Sequence, residues 1–195
     1  MITLHTIGDS HANYWEGWDK IQIPGLKIQM HGIASRLMYS WSNNQENIPV
    51  KGGPNVWVCF CFGEIDVRAH VHKYVDDWQG NIDSLVEKYI ANIIRNTTSG
   101  QYKVFIYNVI PHLDLNPRLP GVPRVGTAED VKKYTLYINE KLRERCQENG
   151  FHFIDTYDNY CNDKGFLDEK YSDMICHIGN PIHNENWLRD FCSNL

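Results

Sequence analysis

The feature that most constrains this chain is the regular alternation of short apolar runs with segments of helical periodicity. The runs are rich in β-branched and aromatic residues, which is typical of strands covered on both faces. Between them, apolar residues recur at helical spacing, as in Ile82, Leu85, Val86 and Tyr89. Strands that alternate with helices form a parallel sheet between helical layers, so the predicted class is α/β. The predicted strands are residues 2–7, 26–31, 55–62, 102–110 and 151–156, and the predicted helices are residues 11–18, 33–41, 81–96, 127–149 and 185–192.

Length and charge limit the domain organisation and the partners. The chain has 195 residues and a formal net charge of −5. That length predicts a single domain over residues 1–195, large enough to bury a core. Because no block of basic residues is present, nucleic acid and membranes are not expected partners.

The sequence also predicts a cytoplasmic location. The first predicted strand starts at Ile2, which leaves no room for a cleavable leader, and no apolar run has the length of a membrane span. The six cysteines include no CxxC pair. They are therefore interpreted as reduced thiols, not as a disulfide framework or a zinc site.

The first candidate site is the tripeptide Gly8-Asp9-Ser10 at the end of the first predicted strand. Gly8 allows a sharp turn, and Asp9 or Ser10 can cap the helix that follows. A serine at this junction exposes its hydroxyl above the sheet edge, and its backbone N–H can stabilise an oxyanion. The alternative is a simple turn with an N-cap. A catalytic reading therefore requires a histidine and a second oxyanion donor elsewhere in the chain.

Other polar residues follow the carboxyl ends of the predicted strands. Gly32 follows the second strand, residues 63–66 follow the third, and His177 lies in a late loop. Ligands of parallel sheets bind outside the carboxyl ends of the strands. These residues are therefore expected to share one edge of the sheet with Ser10.

Four blocks, taken in order, resemble the SGNH (GDSL) hydrolase superfamily. They are Gly8-Asp9-Ser10, Gly32, residues 63–66 with the sequence Gly-Glu-Ile-Asp, and residues 172–178, which resemble the final Asp-x-x-His block. The resemblance spans nearly the whole chain. It implies a flavodoxin-like three-layer α/β/α sandwich with a five-stranded parallel sheet, and ester hydrolysis without a metal or cofactor.

The resemblance also implies roles for individual residues. Ser10 is the expected nucleophile, His177 the base and Asp173 its partner, while the N–H groups of Ser10 and Gly32 are the expected oxyanion donors. His177 is preferred over His183 as the base because it follows Asp173 in the family-like block, on a loop that is free to reach over Ser10. The expected substrate-binding residues around these blocks are Asp9, His11, Glu64, Asp66, His70 and His183.

The third block departs from the family pattern. Ile65 stands where the family has an asparagine that donates to the oxyanion, and isoleucine cannot donate. Losing one such donor typically costs about 10²–10³ in rate. Either the enzyme is weak or another donor substitutes, with Arg68 and His70 as the nearest candidates. The alternative for Arg68 is a structural ion pair with Glu64 or Asp66.

The final block departs as well, because three residues separate Asp173 from His177 where the family has two. A loop can absorb one extra residue, so Asp173 is expected to reach the imidazole. The alternative is that Asp173 is a solvated loop carboxylate.

Two other groups of residues could form a binding site, although a structural role is favoured for each. His70 and His72 could bind a metal if they lay on a strand, but no third ligand is evident, so no metal site is expected here. Tyr14, Trp15 and Trp18 could form a sugar-stacking platform near Ser10, although packing on the core is favoured.

The predicted function is a serine esterase that hydrolyses an O-acyl ester through Ser10, His177 and Asp173. An O-acetyl group is the favoured acyl group, and the expected partner is a small-molecule or glycan ester substrate, with a carbohydrate as one candidate. One alternative is an O-acyltransferase with the same site, in which a sugar hydroxyl replaces water. The other is a non-catalytic carbohydrate-binding module that kept the fold, for which Ile65 is the best argument.

Overall fold

The predicted strands form one parallel sheet. The computed structural model describes residues 1–115 and 123–194. Within this part of the chain, the sheet has five strands in the spatial order β2-β1-β3-β4-β5. All neighbouring strands pair in parallel. The strands are β1 (Ile2–Gly8), β2 (Leu26–Gly32), β3 (Val56–Cys61), β4 (Lys103–Tyr107) and β5 (His152–Ile154).

Helices cover both faces of the sheet, which gives the predicted three-layer α/β/α sandwich. The α-helices are α1 (Met38–Asn43), α2 (Glu64–Ala69), α3 (Trp78–Thr97), α4 (Ala128–Asn149) and α5 (Ile182–Ser193). Successive residues of a strand pack in different hydrophobic core clusters. Val58 packs in the cluster that includes α1, α3 and α4, whereas Cys59 packs in the cluster that includes α5. This alternation follows from the two-residue period of a strand.

Both ends of helix α4 have the capping residues from which the sequence predicted them. The Asp130 N–H donates to Thr127 Oγ1 at 3.1 Å, and the Thr127 N–H donates to Asp130 Oδ2 at 3.0 Å, which completes a capping box. Gly150 ends the helix with a φ of 68°, in the left-handed region that favours glycine.

Some predicted helices are wrong in detail. Residues 11–18 do not form one helix but belong to a series of 3-10 turns, because Asn13 is extended and Gly17 is left-handed. The helix predicted from residue 33 begins only at Met38, after Ser35 takes a φ of 62°. Of the long loop expected over residues 111–126, residues 116–122 lie outside the described residues.

The position of β1 defines the functional edge of the sheet. The chain passes from β1 outward to β2 and then returns across β1 to β3, so the topological switch point lies between β1 and β3. At this point Gly8 approaches β3 so closely that a Cβ atom would lie 1.9 Å from the Cys61 carbonyl oxygen. A glycine is therefore required immediately before the Asp9-Ser10 turn.

No helix within residues 1–115 and 123–194 is both long and apolar enough to cross a membrane.

Candidate active site

Ser10, His177 and Asp173 form a continuous hydrogen-bonded chain at the carboxyl edge of the sheet. Ser10 begins a 3-10 turn two residues after β1 ends. Its Oγ lies 2.9 Å from His177 Nε2. On the other side of the ring, His177 Nδ1 lies 2.6 Å from Asp173 Oδ2. Serine, imidazole and carboxylate are therefore in the relative order that activates a serine hydroxyl as a nucleophile.

The loop that carries His177 is organised by the Asp173 carboxylate. Asp173 Oδ1 accepts the backbone N–H groups of Ile175, Cys176 and His177 at 2.8 to 3.0 Å. The additional residue of this loop is accommodated because Met174 takes a left-handed φ of 64°. Burial alone would raise the pKa of Asp173, but the His177 ring and these N–H groups lower it below its usual value. Asp173 is thus a bound anion and not a free loop carboxylate.

Asp9 and His11 join the serine turn to the histidine loop. Asp9 Oδ1 accepts the backbone N–H of His11 at 2.8 Å and lies 2.8 Å from His11 Nδ1. His11 Nε2 lies 3.0 Å from the carbonyl oxygen of Cys176. Burial would lower the pKa of His11, but Asp9 and Glu16 raise it to about 10. Both Asp9 and His11 are buried, so these two predicted substrate-binding residues have their partners inside the protein.

Glu16 makes a second connection that the sequence analysis missed. Its buried carboxylate accepts the Tyr107 hydroxyl at 2.9 Å through Oε1 and the Ile178 N–H at 3.0 Å through Oε2. Burial raises the pKa of Glu16 above its ordinary value. The one sequence feature that could have indicated this role of Glu16 is its place as a single carboxylate within the aromatic segment Tyr14-Trp15-Glu16-Gly17-Trp18.

The aromatic residues of this segment have different environments. Trp18 is fully buried in the core, whereas Tyr14 and Trp15 keep 53% and 37% of their surface exposed. The Trp15 ring lies over His177 with their centroids 5.9 Å apart. Trp15 therefore lies beside the hydrogen-bonded chain of Ser10, His177 and Asp173, while Trp18 packs on the core, which is the role that the sequence favoured.

The two backbone N–H groups that are expected to bind the oxyanion differ in whether they already have a hydrogen-bond partner. The Ser10 N–H has no hydrogen-bond partner among residues 1–115 and 123–194. The Gly32 N–H donates to Asn13 Oδ1 at 3.2 Å, and Asn13 Nδ2 donates back to the Gly32 carbonyl at 3.1 Å. The Ser10 donor is thus available, whereas the Gly32 donor is occupied by the Asn13 side chain, a partner that sequence reasoning missed.

Ile65, the position of the absent asparagine, is buried on α2, and ionic groups flank it. Arg68 Nε donates to Glu64 Oε1 at 2.5 Å and Arg68 Nη2 donates to Glu64 Oε2 at 3.1 Å. His112 Nε2 lies 3.2 Å from Glu64 Oε1. Burial opposes ionisation, but His112 and Arg68 together hold the pKa of Glu64 well below its usual range. The predicted ion pair of Arg68 with Glu64 is present, and Arg68 also borders a small cleft with Ile175 and Cys176, beside the His177 loop.

Comparison with solved structures assigns the architecture. A Streptococcus pneumonia protein thought to be a platelet activating factor matches with a TM-score of 0.70 at 16% identity, over 97% of this chain and 83% of that one. A GDSL-like lipase from Bacteroides thetaiotaomicron matches with a TM-score of 0.60 at 17% identity, over 98% and 88% of the two chains. This is the SGNH (GDSL) hydrolase fold.

A third match is a carbohydrate acetylesterase from Sinorhizobium meliloti, with a TM-score of 0.60 at 14% identity over 100% of this chain and 99% of that one. No protein-family profile and no curated sequence matches the chain. At these identities the likeness concerns the fold.

Asp66, the last residue of the segment 63–66, binds backbone N–H groups. Its carboxylate accepts the N–H groups of Met38 and Tyr39 at 2.8 and 3.0 Å, so it caps the start of α1. Burial raises the pKa of Asp66 to about 7, although these two N–H groups act in the opposite direction. Its structural contribution is to hold α1 against α2.

His70 lies beside a cavity between α1, α2 and α3. The cavity has a volume of about 420 Å³, and its lining includes Tyr39, Tyr74, Asn81 and Lys88. Burial lowers the pKa of His70, and Lys73 adds to this effect. Two of the helices that line the cavity, α1 and α2, follow the carboxyl ends of β2 and β3, which belong to the same edge of the sheet as Ser10.

Two other histidines have partners of their own. His183 lies on α5 with its ring 4.9 Å from that of Tyr160 and 5.0 Å from that of Tyr171. His72 lies in a 3-10 segment, not on a strand, and its Nδ1 is 2.8 Å from the Tyr134 hydroxyl. Neither is joined to Ser10 or His177 by a hydrogen bond within the described residues.

Proposed function

We propose that this protein is a serine esterase of SGNH type that hydrolyses an O-acetyl or similar O-acyl ester through Ser10, His177 and Asp173. The observation that supports the proposal best is the pair of contacts at 2.9 Å between Ser10 Oγ and His177 Nε2 and at 2.6 Å between His177 Nδ1 and Asp173 Oδ2. A binding module has no need of this alignment, so the geometry favours a catalyst over the non-catalytic alternative.

The reaction proceeds through an acyl-enzyme. His177 Nε2 removes the proton from Ser10 Oγ, which attacks the ester carbonyl carbon. Asp173 holds the ring in the tautomer that leaves Nε2 able to accept this proton, and it stabilises the imidazolium that forms. His177 then protonates the leaving alcohol. Water attacks the acyl-enzyme in the second half, and its proton passes to Nε2 before the acid leaves Ser10.

The oxyanion is held first by the Ser10 N–H, which has no other described partner. The Gly32 N–H contributes when Asn13 gives up its hydrogen bond. Arg68 supplies the third contribution in place of the absent asparagine, since it borders the cleft beside the His177 loop. His70 is less suited to this role because it borders the cavity by Tyr74. Placing donors where negative charge develops is usually the largest electrostatic contribution to such a reaction.

We assign the alcohol part of the substrate to a carbohydrate. The cavity beside His70 combines the exposed rings of Tyr39 and Tyr74 with the polar side chains of Asn81 and Ser84. Aromatic faces with a few convergent polar groups are suited to sugar rings. The neighbour from Sinorhizobium meliloti is itself a carbohydrate acetylesterase. A reducing location in the cytoplasm is consistent with the six free cysteines.

The proposal is tested with an aryl acetate and a serine-directed phosphonate. Wild-type protein should turn over the ester, and the phosphonate should label Ser10. Ser10→Ala should remove both properties, while Ser193→Ala, a control on the exposed end of α5, should keep them. Normal turnover by Ser10→Ala would refute the assignment.

The acyltransferase alternative is tested in the same assay by adding a sugar acceptor. Hydrolysis predicts free acetate as the product at every acceptor concentration. Acetylated sugar that replaces acetate in proportion to the acceptor would identify a transferase instead.

A further inference from the structure

Three metal-binding atoms converge beside the triad. His11, Cys176 and His177 each offer one ligand atom, and these three atoms all lie within 4.8 Å of one another. Only His177 takes part in the proposed hydrolysis by direct proton transfer. The thiol of Cys176 has no role in that reaction, although it lies beside the base.

The spacing within this cluster suits a tetrahedral ion. Cys176 Sγ lies 3.5 Å from His177 Nε2. With Zn–S near 2.3 Å and Zn–N near 2.0 Å, two ligands of a tetrahedral zinc ion are separated by about 3.5 Å. Thiolate and imidazole are also the ligands that zinc prefers.

Both histidines are oriented as metal-bound histidines are. Asp9 Oδ1 lies 2.8 Å from His11 Nδ1, and Asp173 Oδ2 lies 2.6 Å from His177 Nδ1. A carboxylate behind Nδ1 fixes the ring and leaves Nε2 as the ligand atom, which is the usual support of a zinc-binding histidine. Nε2 is therefore the ring nitrogen that each histidine can offer to a metal ion.

We propose that a zinc ion binds to His11 Nε2, Cys176 Sγ and His177 Nε2 and inhibits the enzyme reversibly. Binding releases the Cys176 thiol proton and the proton on His11 Nε2 to solvent, and His11 gives up its contact with the Cys176 carbonyl. The fourth position is taken by water or by Ser10 Oγ, which lies 2.9 Å from His177 Nε2. Since zinc then occupies the lone pair that accepts the Ser10 proton, the bound form cannot hydrolyse esters.

Cobalt(II) binding to the full chain tests the site without using activity. Wild-type protein and Ser10→Ala should both give a thiolate-to-cobalt charge-transfer band and the intense visible bands of a tetrahedral ion. Cys176→Ser and Cys176→Ala should lose the charge-transfer band and bind at least about tenfold more weakly. Cys161→Ser, a control thiol in another loop, should behave as wild type. Equal binding by the Cys176 variants, or a cobalt complex without a thiolate band, would overturn the proposal.

Inhibition is measured with zinc and the aryl acetate. Each variant is compared with its own zinc-free rate, so a change in basal activity does not affect the result. Zinc should inhibit wild type and Cys161→Ser, a chelator should restore the rate, and Cys176→Ser should need at least about tenfold more zinc. Zinc that binds while turnover is unchanged would refute the inhibitory role. If no variant turns over the ester, the proposed function fails, and the cobalt experiment alone decides the metal site.

Discussion

The two sides of the candidate active site differ in how fully they are assembled. On the base side, Asp173 binds the His177 ring and also the N–H groups of its own loop, so the imidazole is fixed against Ser10. On the oxyanion side, Ile65 offers no donor and the Gly32 N–H is held by Asn13. In the proposed reaction, proton transfer is therefore preorganised in the free protein, whereas full oxyanion binding requires Asn13 to move and a substitute donor.

The largest expected effect concerns the choice of base. His177→Ala should lower kcat by up to about 10⁶, about as much as Ser10→Ala, because members of a triad act as a unit. The double variant should therefore be little worse than either single variant. His183→Ala, which alters a ring packed on Tyr160 and Tyr171, should retain most of the rate. An inactive His183→Ala together with an active His177→Ala would reverse the assignment of the base.

The role of Asp173 should give the next largest effect. Asp173→Asn keeps the shape of the side chain but favours the wrong tautomer of His177, so kcat should fall by about 10⁴. Asp168→Asn is a suitable control, because Asp168 similarly caps a backbone N–H, that of Lys170, in the neighbouring turn. A normal rate for Asp173→Asn would mean that the carboxylate only shapes the loop.

The substitute donor should account for a smaller loss. Arg68→Lys keeps the charge but loses the planar fork that binds Glu64, and kcat should fall by about 10²–10³ with little change in KM. If the ion pair of Arg68 with Glu64 is purely structural, Arg68→Lys should instead lower the free energy of unfolding measured in urea and leave kcat unchanged. His70→Ala should stay close to wild type in kcat. Wild-type kcat and KM in both Arg68→Lys and His70→Ala would show that neither residue replaces the absent asparagine as an oxyanion donor.

Substitution of Asn13 should have the smallest effect on kcat, and it should raise kcat where the other substitutions lower it. Asn13→Ala frees the Gly32 N–H, and removing one competing hydrogen bond of about 1 kcal/mol should raise kcat about fivefold. The matched control is Asn43→Ala, which also removes an amide bonded to a backbone carbonyl. A fall in kcat for Asn13→Ala would indicate that Asn13 supports the oxyanion site and does not compete with it.

What the sequence could predict depends on the range of the interactions. The strands and helices α3 and α4 were predictable because their apolar spacing and caps are local. Helix α2 was missed because Glu64, Asp66 and Arg68 are buried along with its apolar residues, so no polar face marks it. The 3-10 turns after Ser10 depend on the extended Asn13 and the left-handed Gly17, which helical propensity does not indicate.

The same distinction holds for the site. Ser10, Asp173 and His177 were recognisable because they occur in short sequence blocks. The partners Asn13 and Glu16 were not, because their contacts with Gly32 and Ile178 join segments 19 and 162 residues apart in sequence. The positions of the Arg68 and Asp66 side chains likewise depend on the fold, since Asp66 binds backbone 28 residues earlier.

The two connections made by His11 and Glu16 have a consequence for how the proposed activity would be lost. His11 contacts the Cys176 carbonyl, and Glu16 accepts the Ile178 N–H, so the residues on either side of His177 are held by the segment that follows Ser10. Local opening of a protein proceeds in cooperative units. The serine turn and the histidine loop should belong to one such unit, with matched amide hydrogen-exchange rates on gentle heating. Nucleophile and base would then be lost together, in a single step.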